Sequence, residues 1–259
     1  GRGNVHYEIS DPQRLAVINY TSGTTSAPKG VMLTLENIST SVDFAIRHIP
    51  ASSEDNIVSM LPMGHIYGMV FEFLSPLVSG VTVYYLGKAP AASTLLKAVG
   101  EVKPYLIITV PLVMEKIYKS SIKPKLSSGP MKVLIKIPGI NKILYGVIRK
   151  KLIASFGGKV KQFIMGGAAL NPDVEKWFRK LGLPYTVGYG MTEFAPLLAY
   201  QNPAQFAKGS CGVAADRIEV RIDSDDPENI VGEIQAKGVS AMRGYFKNEE
   251  ATNAAFTED

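Results

Sequence analysis

The chain has 259 residues, of which 46% are hydrophobic and 20% are charged, a composition typical of a globular protein with a sizeable core. Its formal net charge of +5 is compatible with phosphate-rich ligands or an anionic membrane surface, but aromatic residues are not interleaved with the basic ones, which argues against nucleic-acid binding. The single cysteine, Cys211, excludes an intrachain disulfide, fits a reducing, cytoplasmic compartment and, with only three scattered histidines, argues against a structural zinc site.

Apolar segments alternate with amphipathic ones over the first 205 residues. The pattern predicts strands at 14–20, 56–61, 81–86, 105–110, 160–165 and 185–187. It predicts helices at 35–48, 67–79, 91–101, from Pro111, over about 131–155 and at 172–181. This alternation indicates an α/β fold with a mostly parallel sheet flanked by helices. From about residue 206, alternating segments at 217–222 and 232–237 predict a smaller antiparallel β-rich portion, a partial barrel.

The stretch Tyr20–Val31, YTSGTTSAPKGV, combines hydroxyl donors, glycines and a lysine. Hydroxyl groups, backbone N–H groups freed by glycine and the charge of Lys29 suit an anion with many oxygen atoms, such as a polyphosphate. The stretch follows a predicted strand and precedes a predicted helix, where α/β folds place phosphate loops. It is not a Walker A loop, because Lys29-Gly30 stands where Gly-Lys-Ser/Thr is required. A surface turn is the alternative interpretation.

Three further loops follow predicted strands, at Leu61–His65, Met165–Leu170 and Gly188–Glu193. The carboxyl ends of strands in an open α/β sheet form its ligand crevice, so we expect these loops and the Thr-rich loop to meet at one edge. For each loop alone, the alternative is an ordinary turn, with His65 as a hydrogen-bonded structural histidine.

Two of these segments resemble signatures of the acyl-adenylate-forming superfamily. Tyr20–Val31 is similar to its phosphate loop, Thr-Ser-Gly-Thr-Thr-Gly-x-Pro-Lys-Gly, with Ser26 at one glycine position, and Gly188–Glu193 is similar to its second signature. The resemblance runs from Ile18 to Phe256. It implies the core of the large domain over 1–205, truncated at its start, a β-rich portion over 206–259, and absence of the small C-terminal domain that carries the adenylation lysine.

By that resemblance, two groups of residues bind ATP or AMP. The phosphate-binding group is Thr21, Ser22, Gly23, Thr24, Thr25 and Lys29. The adenine-side group is Gly166, Gly167, Ala168, Tyr189, Gly190 and Met191, with Tyr189 stacked on the base.

The same resemblance implies three catalytic residues. Thr192 contacts the α-phosphate, Glu193 binds Mg²⁺, and His65 lies near the substrate carboxylate. A carboxylate suits Mg²⁺ that is shared with phosphates.

The function implied is AMP-forming ligation of a long-chain fatty acid to CoA, with ATP, fatty acid and CoA as the partners. The alternatives are an adenylate-forming enzyme for short or aryl acids or for a carrier protein, a nucleotide-binding module without turnover, and a phosphotransferase. The missing family segments predict that the chain alone binds nucleotide weakly and is inactive or weakly active. Strand edges that lack their neighbours also make a homodimer an expectation.

Between Glu115 and Asp173 the chain has twelve Lys or Arg residues and no Asp or Glu. In its middle, residues 131–151 mix Leu and Ile with lysines. One hypothesis is peripheral contact with anionic lipid, which would place the protein in the cytoplasm and at a membrane. The other is a packed helix with a solvated basic face. Such an insertion resembles the long-chain branch of the superfamily.

Overall fold

The computed structural model describes residues 11–21, 27–49, 51–86 and 92–258. Along them the strands are β1 (Leu15–Thr21), β2 (Lys29–Thr34), β3 (Asn56–Ser59), β4 (Thr82–Tyr85), β5 (Leu106–Thr109), β6 (Gln162–Met165), β7 (Tyr185–Val187), β8 (Tyr189–Gly190), β9 (Leu197–Tyr200), β10 (Val213–Ala214), β11 (Ile218–Asp223), β12 (Glu233–Gly238) and β13 (Gly244–Tyr245).

The α-helices are α1 (Leu35–His48), α2 (Ile66–Gly68), α3 (Ser75–Val78), α4 (Ala92–Val102), α5 (Pro111–Ile117), α6 (Lys123–Ser127), α7 (Gly129–Leu134), α8 (Ile140–Ser155), α9 (Pro172–Leu181) and α10 (Glu249–Ala255). π-Helical segments join α2 to α3 (Met69–Leu74) and α5 to α6 (Tyr118–Ile122), and a 3₁₀ turn covers Thr192–Phe194.

A five-stranded parallel sheet, in the order β4-β3-β5-β6-β7, confirms the predicted α/β architecture. Successive residues of its strands point to opposite faces. Leu106 and Ile108 of β5 belong to one buried cluster and Ile107 to another, and β6 divides Ile164 from Phe163 in the same way. Both faces are therefore covered, which explains why these strands are continuous apolar runs in the sequence.

Different helices cover the two faces of this sheet. On one face α1 packs through Ile38 and Val42. On the other face α4, α8 and α9 pack through Val99, Leu152 and Phe178 respectively. Because the strands are parallel, their carboxyl ends lie at one edge of the sheet. The loops after β3, β6 and β7 all emerge from this edge.

The Thr-rich loop does not follow a strand of the parallel sheet, so this part of the expectation is wrong. β1 pairs antiparallel with β2, with Tyr20 opposite Gly30, and β13 extends this separate sheet with Tyr245 opposite Val31. The reason is chain length: only residues 22–28 separate β1 from β2, whereas a parallel connection needs a crossover of about a dozen residues. Residues 22–26 lie outside the described residues.

The helical region predicted over about 131–155 is divided into α7 and α8. Pro138 has no N–H to donate, and Gly139 takes a φ of +88° that favours glycine. The break turns the chain between the two helices.

Antiparallel strands dominate after residue 206, as predicted. β11 pairs with β12, while β10 and β13 pair with β9 and β2 from the earlier part of the chain. The division at residue 205 stays a prediction, and these pairings show strands from both sides of it in common sheets.

Glu175, which is buried on α9, fixes the segment that leads to β7. Its Oε1 accepts hydrogen bonds from the Tyr185 hydroxyl at 2.9 Å and from the Gly209 N–H at 3.1 Å. Arg179 lies one turn further along α9, with Nε 3.8 Å from the same oxygen. One buried carboxylate thus joins α9, β7 and the loop after β9.

Glu175→Leu should lower the free energy of unfolding by about 2–4 kcal/mol, because it leaves the buried Tyr185 hydroxyl and the Gly209 N–H without their acceptor. Glu175→Gln keeps an acceptor oxygen and should lose less than half as much. Urea unfolding measures both, with Lys176→Gln on the exposed face of α9 as the control. Equal losses for Leu and Gln would contradict the role given to these hydrogen bonds.

Candidate active site

A cavity of about 800 Å³ lies at the carboxyl edge of the parallel sheet. The loops after β3, β6 and β7 line it, and the end of β1 reaches it from the antiparallel sheet. The predicted site residues on its wall are Thr21, His65, Gly166, Gly167, Tyr189, Gly190, Met191, Thr192 and Glu193. Residues from four separate stretches of sequence therefore meet in one place.

Other predicted site residues stand apart from this wall. Lys29 does not line the cavity; its ammonium group lies 4.9 Å from the centre of the Tyr245 ring. Ala168 is exposed and also lies off the wall. Ser22, Gly23, Thr24 and Thr25 lie outside the described residues.

The deep part of the cavity is apolar, and sequence patterns did not single it out. Its wall there is formed by buried residues of the core, namely Ile49, Phe71, Ile108, Ile164, Leu197 and Tyr200. We call these six residues the cavity floor. A neighbouring cavity of about 20 Å³ shares Ile49, Phe71 and Ile108 with it. In sequence such residues look like ordinary core, because packing and ligand contact use the same apolar side chains.

Two glycines allow backbone or ring atoms to approach the site closely. A Cβ on Gly190 would lie 1.9 Å from the Pro196 carbonyl oxygen, so no larger residue fits unless the backbone just before β9 moves. A Cβ on Gly166 would lie 3.1 Å from the Tyr67 ring. Packing at the cavity wall therefore requires glycine at position 190 and leaves little room for a side chain at position 166.

Glu193 is positioned by Tyr245, a residue that sequence analysis assigned no role at the site. The Tyr245 hydroxyl donates a hydrogen bond of 2.7 Å to Oε1 of Glu193, and burial, followed by this carboxylate, raises the pKa of Tyr245. The Met242 N–H also donates to the Glu193 carbonyl, at 2.7 Å. No described residue donates to Oε2 of Glu193, which leaves that oxygen available to a ligand at the cavity wall.

His65 caps the short helix α2 and faces the same cavity. Its Nδ1 accepts a hydrogen bond of 3.1 Å from the Tyr67 N–H, an arrangement that assigns the ring proton to Nε2. The preceding residue is tied to β1, because the Asn19 side-chain amide donates to the Gly64 carbonyl at 2.8 Å. The His65 ring can therefore donate a hydrogen bond from Nε2.

Glu72 is fully buried behind this loop and is unpaired with any described cation. Its Oε2 accepts hydrogen bonds from the Leu61 and Met60 N–H groups, at 2.8 and 3.0 Å, and from the Ser59 hydroxyl at 3.0 Å. Its Oε1 has no partner among the described residues. Burial raises the pKa of Glu72 to about 7, and the three hydrogen bonds partly oppose that rise.

Within the described ranges, no group of three or more His, Cys, Asp or Glu side chains could hold a metal ion. Among the described residues that line the cavity, Glu193 supplies the one carboxylate. One carboxylate fits Mg²⁺ that also binds substrate phosphates, the usual arrangement for this ion in nucleotide sites.

A model of the AMP-binding enzyme family matches residues 3–246. The chain belongs to this family. Two relatives are long-chain-fatty-acid–CoA ligases 4 and 3 of Saccharomyces cerevisiae, which are 28% and 30% identical to it over 286 and 268 residues. These alignments cover 100% and 96% of the chain but only 40% and 39% of those proteins. The chain therefore spans about two fifths of the length of these relatives.

Solved structures show the same fold. A malonyl-CoA ligase, in a ternary product complex with methylmalonyl-CoA and AMP, is 27% identical, with a TM-score of 0.73 over 100% of this chain and 51% of its own. The resemblance to the adenylate-forming superfamily inferred from the motifs is thus confirmed at the level of family and fold.

In this AMP-binding protein, ionisation of Glu72 should destabilise the fold as the pH rises from about 4.5 to about 7, because the folded state holds the proton more tightly than the unfolded chain does. The loss is on the order of 3 kcal/mol and is complete above that range. Glu72→Gln keeps an acceptor oxygen without ionising, so its free energy of unfolding should decline less over the same range.

Urea unfolding at a series of pH values measures this difference. Glu54→Gln, which changes an exposed glutamate before β3, is the matched control. The same decline in wild type and Glu72→Gln would contradict the assignment.

Proposed function

We propose that the chain forms the nucleotide- and acid-binding part of an AMP-forming acyl-CoA synthetase that acts on long-chain fatty acids. The observation that carries this proposal is one cavity with two chemically different parts. Tyr189, Thr192, Glu193 and His65 line its more polar part, and the buried floor is almost entirely apolar. The names of the two yeast relatives support the same substrate class.

The proposed reaction has two steps. The acid's carboxylate oxygen attacks the α-phosphorus of ATP, and the bond to pyrophosphate breaks, giving an acyl adenylate. The CoA thiolate then attacks the acyl carbon, and AMP leaves with the electrons of the broken C–O bond. In the first step negative charge spreads over phosphate oxygens, so positioning and electrostatic stabilisation are the main contributions expected of the protein.

The described residues suit these steps as follows. Tyr189, about one third exposed beside Gly166 and Gly167 on the wall, offers a ring face for the adenine base. Glu193 would hold Mg²⁺ through its unoccupied Oε2, and the ion would supply positive charge to the phosphates. Nε2 of His65 would donate a hydrogen bond to the acid carboxylate and orient it for attack.

The cavity floor supports an acid with a hydrocarbon chain. Phe71, Ile108 and Ile164 are each less than a tenth exposed, so a polar ligand would lose its hydration there without gaining partners. A carbon chain gains from the same burial, by about 0.8 kcal/mol for each methylene group.

A second candidate is an adenylate-forming enzyme for a shorter or more polar acid. The similarity to malonyl-CoA ligase favours it. So does the hydroxyl of Tyr200 at the floor, which accepts a hydrogen bond of 3.1 Å from the Gln162 side chain and gives the floor one polar point.

The substrate proposal is tested on the full-length protein that carries this chain. With MgATP, CoA and acids from acetate to palmitate, we expect pyrophosphate and AMP to form fastest with the long-chain acids. Pyrophosphate only with short or aromatic acids would favour the second candidate. Orthophosphate as the product would refute adenylation itself.

Substitutions at Glu193 and Tyr245 test the Mg²⁺ assignment. Glu193→Gln should slow pyrophosphate formation by at least about a hundredfold, because the charge that binds the ion is lost. Tyr245→Phe keeps the carboxylate but frees its orientation, so about a tenfold loss is expected, with partial recovery at high Mg²⁺. Tyr84→Phe, at an exposed tyrosine of β4, is the control. Near-normal activity of Glu193→Gln would refute its role.

A further inference from the structure

Helices α7 and α8 and the turn between them expose several large aliphatic side chains. Ile143 is 70% exposed and Val133 is 63% exposed, values expected of polar residues rather than of Ile and Val. Five of the exposed aliphatic side chains belong to Val133, Ile137, Ile140, Ile143 and Val147. We call these five residues the aliphatic row.

The row lies on a different face of α8 from the one that packs on the protein. Ile140, Ile143 and Val147 follow the spacing i, i+3, i+7, which places them on one side of a helix. Ile148 and Leu152, the buried residues of α8, pack instead into the buried cluster on the face of the parallel sheet that α4, α8 and α9 cover. The aliphatic row is therefore not needed to attach α8 to the fold.

Exposed lysines flank the row in sequence. They are Lys132, Lys136, Lys142, Lys150 and Lys151. No ion pair found among the described residues involves them. The sequence has no Asp or Glu between Glu115 and Asp173, so every lysine and arginine of this segment adds positive charge that no acidic residue of the same segment neutralises.

We propose that this surface docks on an anionic lipid bilayer, with the aliphatic row in the interfacial region and the lysines against headgroup phosphates. Apolar side chains bordered by lysines are the composition of peripheral membrane-binding helices. None of the described helices is long and apolar enough to span a bilayer. This inference stands independently of the proposed catalytic function.

Charge selects the bilayer over a second copy of the chain. A symmetric dimer would place the same surface of each copy against the other, so the lysines of one copy would face those of its partner. Such like charges repel. An anionic bilayer instead complements every lysine at once, and it accepts aliphatic side chains without a shaped pocket.

The experiment is flotation of the full-length protein with vesicles. Binding is expected to vesicles of equal parts phosphatidylcholine and phosphatidylglycerol at low ionic strength, and not to phosphatidylcholine alone. It should fall in about 1 M NaCl, where the Debye length is about 3 Å. Ile143→Ser with Val147→Ser should weaken binding by about tenfold, and Lys150→Gln with Lys151→Gln by a similar factor.

Matched controls lie elsewhere on the surface. Val231→Ser removes a valine that is 98% exposed, and Lys208→Gln removes an exposed lysine outside the basic segment; neither should change binding. Circular dichroism checks that all variants fold.

Four results would overturn the proposal. The first is no binding to anionic vesicles at low ionic strength. The second is binding that neither double variant weakens. The third is a dimer in light scattering that the Ile143/Val147 variant dissociates, which would assign the surface to a second copy. The fourth is binding of polyglutamate without binding of vesicles, which would assign the surface to an acidic protein.

Discussion

The hydrogen bond between Tyr245 and Glu193 connects the two parts of the structure that form the cavity. The parallel sheet brings Glu193 to its edge, but the 3₁₀ turn that carries this residue is too short to fix the direction of its side chain. β13 supplies that direction, because its pairing with β2 places the Tyr245 hydroxyl 2.7 Å from the carboxylate. Lys29 of β2 lies over the same tyrosine ring. The two sequence motifs are thus held in one geometry through a third segment.

The architecture of the parallel sheet was predictable because it follows from local patterns. Apolar runs separated by helices are typical of a parallel sheet that is buried on both faces, and β3, β5, β6 and β7 confirm this. The antiparallel pairing of β1 and β2 was missed. Val31 and Leu33 both face the core, and their spacing of two is typical of a strand. The run is short, however, and it lies directly between the lysine motif and helix α1, so the pattern did not predict a separate strand.

Part of the cavity wall was also predictable, since Tyr189, Gly190 and Glu193 belong to one contiguous motif. Residues that act through tertiary contacts were not. Tyr245 lies 52 positions from Glu193, and nothing in the sequence pairs them. Glu72 is recognisable in the sequence as a lone acidic residue in an apolar run. That pattern predicts burial, but it does not predict the three groups that donate hydrogen bonds to its carboxylate. The roles assigned to these residues of the cavity wall stay predictions.

All six residues of the cavity floor also belong to the buried cluster that contains Leu106 of β5, on the face of the parallel sheet that α1 covers. Changing the shape of the floor therefore changes the packing of the sheet, and a smaller side chain there leaves a void that costs stability. Under the proposed function, variation in acid preference would be constrained at every floor position, because each of these side chains also packs in the core. Selectivity and foldability would then be coupled, and the evolutionary room for new substrates would depend on how much stability the protein has in reserve.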